Sequence, residues 1–138
     1  MSTMVARFVH ISKNLPDFCK SHWLLRAPLS IVFIQQGISK IPVTAQDAES
    51  FSLPLIVWFF VAWGELFAGM GIILGGLLEK YSIGDISTRF SGIVMTGIMS
   101  GVILVGEPDS FIDILLYDNL HVMLYVGGLF FALRGNKA

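Results

Sequence analysis

Residues Pro54–Leu78 read PLIVWFFVAWGELFAGMGIILGGLL, 25 in a row with a single charge, Glu65. At a helical rise of about 1.5 Å per residue the run is roughly 37 Å long, more than the roughly 30 Å of a bilayer's hydrocarbon core. It predicts a transmembrane helix with Glu65, the twelfth of the 25, near the midplane. A carboxyl group at that depth costs at least about a few kcal/mol and marks a functional site or a paired polar lock. What Glu65 faces is therefore the central question.

The composition agrees with a membrane protein. Of 138 residues 54% are hydrophobic and 14% charged, against about 25% charged in ordinary soluble domains; the mean hydropathy is +0.74. The length accommodates three or four spans with short loops and no separate globular catalytic domain. A net charge of -1 offers no footprint for nucleic acid. The lone Cys19 excludes an internal disulfide and a multi-cysteine metal or iron–sulfur site. Before Trp23 there is neither a long apolar core nor a small-residue cleavage site, so the first span is expected to be an uncleaved anchor rather than a secretory signal.

Upstream, residues 1–22 form an expected cytoplasmic interfacial segment. Met4, Phe8, Ile11, Leu15 and Phe18 recur at helical spacing with Arg7, Lys13, Asp17 and Lys20 between them, the pattern of an amphipathic helix in the headgroup region. Pro16 should break it. Residues 23–138 then form one four-span domain, with spans expected at about 23–41, 54–78, 89–106 and 114–133. In the first span Arg26, Ser30, Phe33, Gly37 and Lys40 share a stripe that should face protein; Pro42 stops it, and residues 41–52 read as a loop. In the second, Ala62, Glu65, Gly69, Ile72 and Gly76 share one face, a small-residue seam suited to close helix contact. Residues 79–88 read as a loop. The third span carries Gly97-x-x-x-Gly101, again apt for a tight contact. After the acidic turn Glu107–Ser110, the apolar run from Val122 to Leu133 is too short to cross; extension to Ile114 gives 20 residues and brings in Asp118, Asn119 and His121.

Basic residues orient the chain. A cytoplasmic N-terminus puts Arg7, Lys13, Lys20, Lys80, Arg89, Arg134 and Lys137 on one side and only Lys40 on the other, a strong positive-inside bias. Both termini are then cytoplasmic, which requires an even number of spans.

Helical depths place Gln36, Glu65 and His121 within about 10 Å of one another along the membrane normal. They predict a polar pocket in the outer half to middle of the bundle, lined by Gln36, Glu65, His121 and Tyr125, with Asp118 behind the histidine to fix its tautomer. Glutamate and histidine could relay protons while Gln36 and Tyr125 hold a planar ligand, which suits quinone chemistry. The rival reading is a polar lock: Glu65 pairs with Arg26 or Lys40, His121 bonds a backbone carbonyl, and no ligand binds. Arg26 and Arg89 lie within a turn of the cytoplasmic face, where snorkelling to phosphates is expected. Trp58, Phe59, Phe60, Trp63, Phe130 and Phe131 are read as packing or lipid-facing residues. His10, His22 and His121 are too dispersed for a haem or metal site.

LLRAPLSIVFIQQGISKI, WGELFAGMGIILGGLL and TRFSGIVMTGIMSG, with a short final span, resemble the DoxX family of small four-helix membrane proteins. The resemblance covers about Trp23–Leu133 and is most specific at Arg26, Gly37 and Lys40, and at Glu65, Gly69 and Gly75; the N-terminal segment and Asp118–His121 do not map onto it. It implies an all-α integral membrane four-helix bundle. Related DoxD-type proteins are part of a thiosulfate:quinone oxidoreductase, and other DoxX-like proteins associate with membrane redox or oxidative-stress complexes, so a quinone is the implied ligand and a protein partner supplies the electron-transfer cofactor. In that expectation Glu65 and His121 handle protons, while Gln36, Tyr125, Asp118, Arg26 and Lys40 form the ligand-binding set. No metal is expected. The alternatives are a structural or anchoring subunit of a larger membrane assembly, and a small-solute carrier, for which four short spans leave little room.

Overall fold

A computed structural model describes residues 3–14, 20–106 and 109–137. The expectations resting on Leu15, Pro16, Asp17, Phe18, Cys19, Glu107 and Pro108 lie outside the described residues. Within them every regular element is helical: α1 (Thr3–Lys13), α2 (Trp23–Ser39), α3 (Ala45–Ser50), α4 (Leu55–Leu77), α5 (Ser82–Val105), α6 (Phe111–Tyr117) and α7 (Asn119–Arg134), then a 3₁₀ turn at Gly135–Lys137. By length and composition α4 and α5 can each cross a membrane, and α6 with α7 makes a third candidate if the bent pair is one span.

Glycines set the helix packing. On α4 the buried residues Ala62, Glu65, Gly69, Ile72 and Gly76 form the seam, and on α2 Arg26, Ser30, Phe33 and Gly37 form its counterpart. A Cβ on Gly37 would sit 2.7 Å from the Leu66 backbone nitrogen, and one on Gly69 would sit 2.9 Å from the Ser30 carbonyl oxygen. The two backbones approach to a distance that only glycine permits. α4 packs in turn on α5, where Ser87 Oγ donates to the Gly71 carbonyl over 2.9 Å. α5 packs on α7 through Gly92 and Gly128, and α7 touches α2 at Gly127 and Leu29. Phe33, Ile72, Met95 and Phe131 fill the middle with almost no exposure. The outward faces of α4 and α5 are apolar: Ile56, Phe60, Phe67 and Leu74 on one, Ile86, Phe90 and Ile93 on the other.

Several boundaries differ from those the sequence suggests. α5 begins at Ser82 rather than near Arg89, because Asp85 and Arg89 pair at i, i+4 over 2.9 Å and the helix carries both charges. The expected loop at 41–52 contains α3, capped by Thr44, whose hydroxyl accepts from the Asp47 N–H. The fourth segment is not one straight helix. It breaks at Asp118, which leaves helical geometry (φ -118°, ψ 39°), and the two pieces meet at 100°. Asp118 and Asn119 are weak helix formers in succession, and an aspartate favours a cap over a helix interior. The tight contact expected at Gly97 and Gly101 is not formed among the described residues: a Cβ on either would meet nothing within 4 Å.

Candidate functional site

Antiparallel packing gathers polar side chains at the two ends of the α2–α4 pair. At one end the first turns of α2 meet the last turns of α4, the start of α5 and the 3₁₀ turn after α7. There Arg26 is fully buried. Its Nη1 donates to the Ile72 carbonyl (2.7 Å) and Thr88 Oγ1 (3.0 Å), its Nη2 to Asn136 Oδ1 (2.9 Å), and its Nε to His22 Nδ1 (3.1 Å). The guanidinium also lies 4.7 Å from the centre of the Phe131 ring, a favourable cation–π position. Asn136 completes the cluster by donating from Nδ2 to the Gly75 carbonyl over 2.9 Å, while its backbone N–H donates to Asp85 Oδ1. Snorkelling is thus corrected for Arg26: protein acceptors leave the side chain no reason to reach for phosphate. Arg89 is likewise engaged, by Asp85 and by the carbonyls of Leu133 and Arg134 that end α7. His22 stands between Arg26 and Glu79. Burial first and the Arg26 charge second hold its imidazole below the usual histidine range, with Glu79 opposing them.

At the other end the last turn of α2 meets the middle of α4. Lys40 Nζ donates to Glu65 Oε2 over 2.8 Å, and longer contacts of 3.3 and 3.4 Å reach the backbone and side-chain oxygens of Gln36. Glu65 is only 2% exposed. Its second oxygen, Oε1, takes no donor among the described residues. The lysine ammonium lies 5.5 Å from the Trp58 ring centre, and Trp58 stacks on Phe51 with centroids 4.9 Å apart.

A half-open cavity of about 1180 Å³ adjoins this pair. Gln36, Lys40, Glu65, Asp118 and His121 all line it, together with Phe51 and Trp58 on one side and Gly97, Gly101 and Val105 of α5 on another. Asp118 and His121 pair through their side chains at the start of α7. Two of the sequence-derived site residues stand apart: Tyr125 packs against the apolar core instead of lining the cavity, and Arg26 belongs to the opposite cluster. Conversely, Trp58 and Phe51 line the cavity although sequence reading assigned Trp58 to packing and passed over Phe51. The trace of Trp58 was present in the seam itself, since residues 58, 62, 65, 69, 72 and 76 continue one helical face by a further turn.

Apolar helices long enough to cross a bilayer, a buried charge cluster and a lysine–glutamate pair beside a cavity define a helical integral membrane protein with polar groups inside its apolar body. The DoxX family model matches residues 22–108, and the chain belongs to the DoxX family. No curated protein and no solved structure matches it.

Proposed function

We propose that this DoxX protein is a four-span subunit of a bacterial inner-membrane redox complex and binds a quinone in the cavity beside Lys40 and Glu65. α2 is shorter than α4 and α5, and its 17 residues give about 26 Å of length, which suits a span whose ends carry polar residues. The positive-inside bias puts both termini, and the Arg26 cluster, on the cytoplasmic side. Arg7 and Lys13 fall between the apolar residues of α1, which lies along the headgroups as an interfacial helix.

The observation that carries this reading is that one apolar-walled cavity joins Lys40, Glu65, Gln36, Asp118 and His121. Flat walls at Phe51 and Trp58 suit a planar ring, and a quinone's carbonyl oxygens are acceptors that the Lys40 ammonium can engage. When bound, a quinone takes two electrons, here from a partner subunit's redox cofactor, and two protons to become a quinol. Two proton-bearing pairs face the cavity. Lys40 holds protons at Nζ with Glu65 as counter-ion, and His121 holds one on its imidazole with Asp118 orienting the ring. The open Glu65 oxygen can receive a proton or a donor group without first giving up Lys40.

A second reading has support of its own. Lys40 and Glu65 neutralise each other within the chain, as a polar lock in a structural or anchoring subunit would require. The two readings separate in the Glu65→Gln variant, by mass spectrometry of everything that co-purifies in mild detergent. Near-stoichiometric quinone with the wild type that falls away in a folded, assembled Glu65→Gln protein supports the redox reading. Stoichiometric protein partners without quinone would sink it and leave a scaffold.

A further inference from the structure

We infer that the cavity takes an amphiphile, with its polar head at Lys40 and Glu65 and its hydrocarbon chain lying along Gly97 and Gly101 into the lipid; this rests on the quinone reading and adds the tail subsite. Residues 97, 101 and 105 fall on one face of α5, about 12 Å long at the helical rise, and all three line the cavity. A Cβ at Gly97 or Gly101 would meet nothing within 4 Å, so this wall is open where the other glycine seams of the molecule are filled by a neighbouring helix. The depth of the opening follows from the adjoining seam. A Cβ on Gly64 would lie 3.1 Å from the Ile98 side chain, which puts Gly97 level with Glu65. The Gly97 end of the open wall therefore lies at the depth of the hydrocarbon, beside the buried carboxylate, rather than at the aqueous surface. A water-soluble ligand would have no use for such a side door; a lipid tail occupies it without leaving the acyl-chain region. The head end also retains unused polar capacity: Glu65, only 2% exposed, lines the cavity with its Oε1 taking no donor among the described residues.

The test compares two probes on the full-length protein in one detergent: tail-less 2,3-dimethoxy-5-methyl-1,4-benzoquinone and its decyl-chain counterpart decylubiquinone. Gly101→Leu and Gly97→Leu place a side chain in empty space, so both variants should fold, which thermal stability checks directly. Expressing each affinity relative to wild type cancels the partition of the tail into the micelle. Either variant is expected to weaken decylubiquinone binding by about tenfold, as loss of burial worth roughly two methylenes would, while tail-less binding stays within about twofold. Equal weakening of both probes, or no change in either, overturns the tail subsite while leaving quinone binding intact. If the wild type binds neither probe, the quinone reading itself falls, and the tail subsite falls with it.

Discussion

The two polar clusters of this bundle sit about 10 Å apart along α4, judged from the seven helical steps from Glu65 to Ile72, yet they are built on opposite terms. Arg26 is surrounded: four acceptors, from His22 just before α2 and from α4, α5 and the 3₁₀ turn, meet its guanidinium, and two aromatic rings cover it. Lys40 and Glu65 are half-surrounded, with one short contact between them, one carboxylate oxygen open and a cavity at their side. In a low-dielectric interior an unmet polar group is expensive, so saturation points to structure and surplus capacity points to a ligand. Under the proposed function, the first cluster maintains the fold and the second binds the ligand.

Breaking the saturated cluster should do the most damage. Arg26→Leu takes a donor from His22 Nδ1, the Ile72 carbonyl, Thr88 Oγ1 and Asn136 Oδ1, of which Asn136 keeps the Thr88 hydroxyl, and a loss of about 3 kcal/mol or more is expected because several charge-assisted bonds disappear together. Arg26→Lys should not restore it, since an ammonium cannot reach the same acceptors as a fork. Unfolding in mixed micelles, followed by helical circular dichroism, measures both; wild-type stability in Arg26→Leu would refute the assignment.

The glycine seams sharpen the contrast next. Gly37→Ala puts a methyl group 2.7 Å from a backbone atom of α4 and is expected to destabilise by about 1–3 kcal/mol through overpacking. Gly101→Ala should have the opposite sign, stabilising by up to about 1 kcal/mol, because alanine is the better helix former and the site is empty. Equal responses in the same unfolding assay would mean that the two seams do not differ as described. Asn136→Ala removes one acceptor for Arg26 and the donor to Gly75, for an expected loss of about 1–2 kcal/mol, while the proposed quinone binding is expected to be unchanged in the co-purification assay.

Acid should act weakly and on the saturated end. His22 is held below its ordinary pKa by burial and by Arg26, so the unfolded chain binds a proton more readily than the folded one. The neutral imidazole's contribution is complete above about pH 6.5, the unfolded value, and is lost as pH falls from there through the folded pKa. A melting temperature that drops between pH 7.5 and 5, with a smaller drop in His22→Gln, is the expected result; an identical drop in both would remove His22 from the cluster's energetics.

Local periodicity carried much of this architecture. Steps of 100° placed Arg26, Ser30, Phe33 and Gly37 on one face and Ala62, Glu65, Gly69, Ile72 and Gly76 on another, and all are buried. Periodicity says nothing about partners that meet only after folding. Asn136 lies outside any helical repeat, so the burial of Arg26 was misread as snorkelling. The kink at Asp118 was hidden because hydropathy averages over a break, and Gly97-x-x-x-Gly101 was misjudged because small residues fit an open cavity wall as well as a tight contact. Lys40 was visible as a partner for Glu65, but only as one of two.

Arg26 and Asn136 are 110 residues apart. During synthesis the arginine reaches the membrane with the first long helix, whereas its last acceptor leaves the ribosome after α4, α5 and α7 have been made. Until then the guanidinium lacks one of its four acceptors, so the burial of the first long helix's charge is completed only by the last turn of the chain to be made.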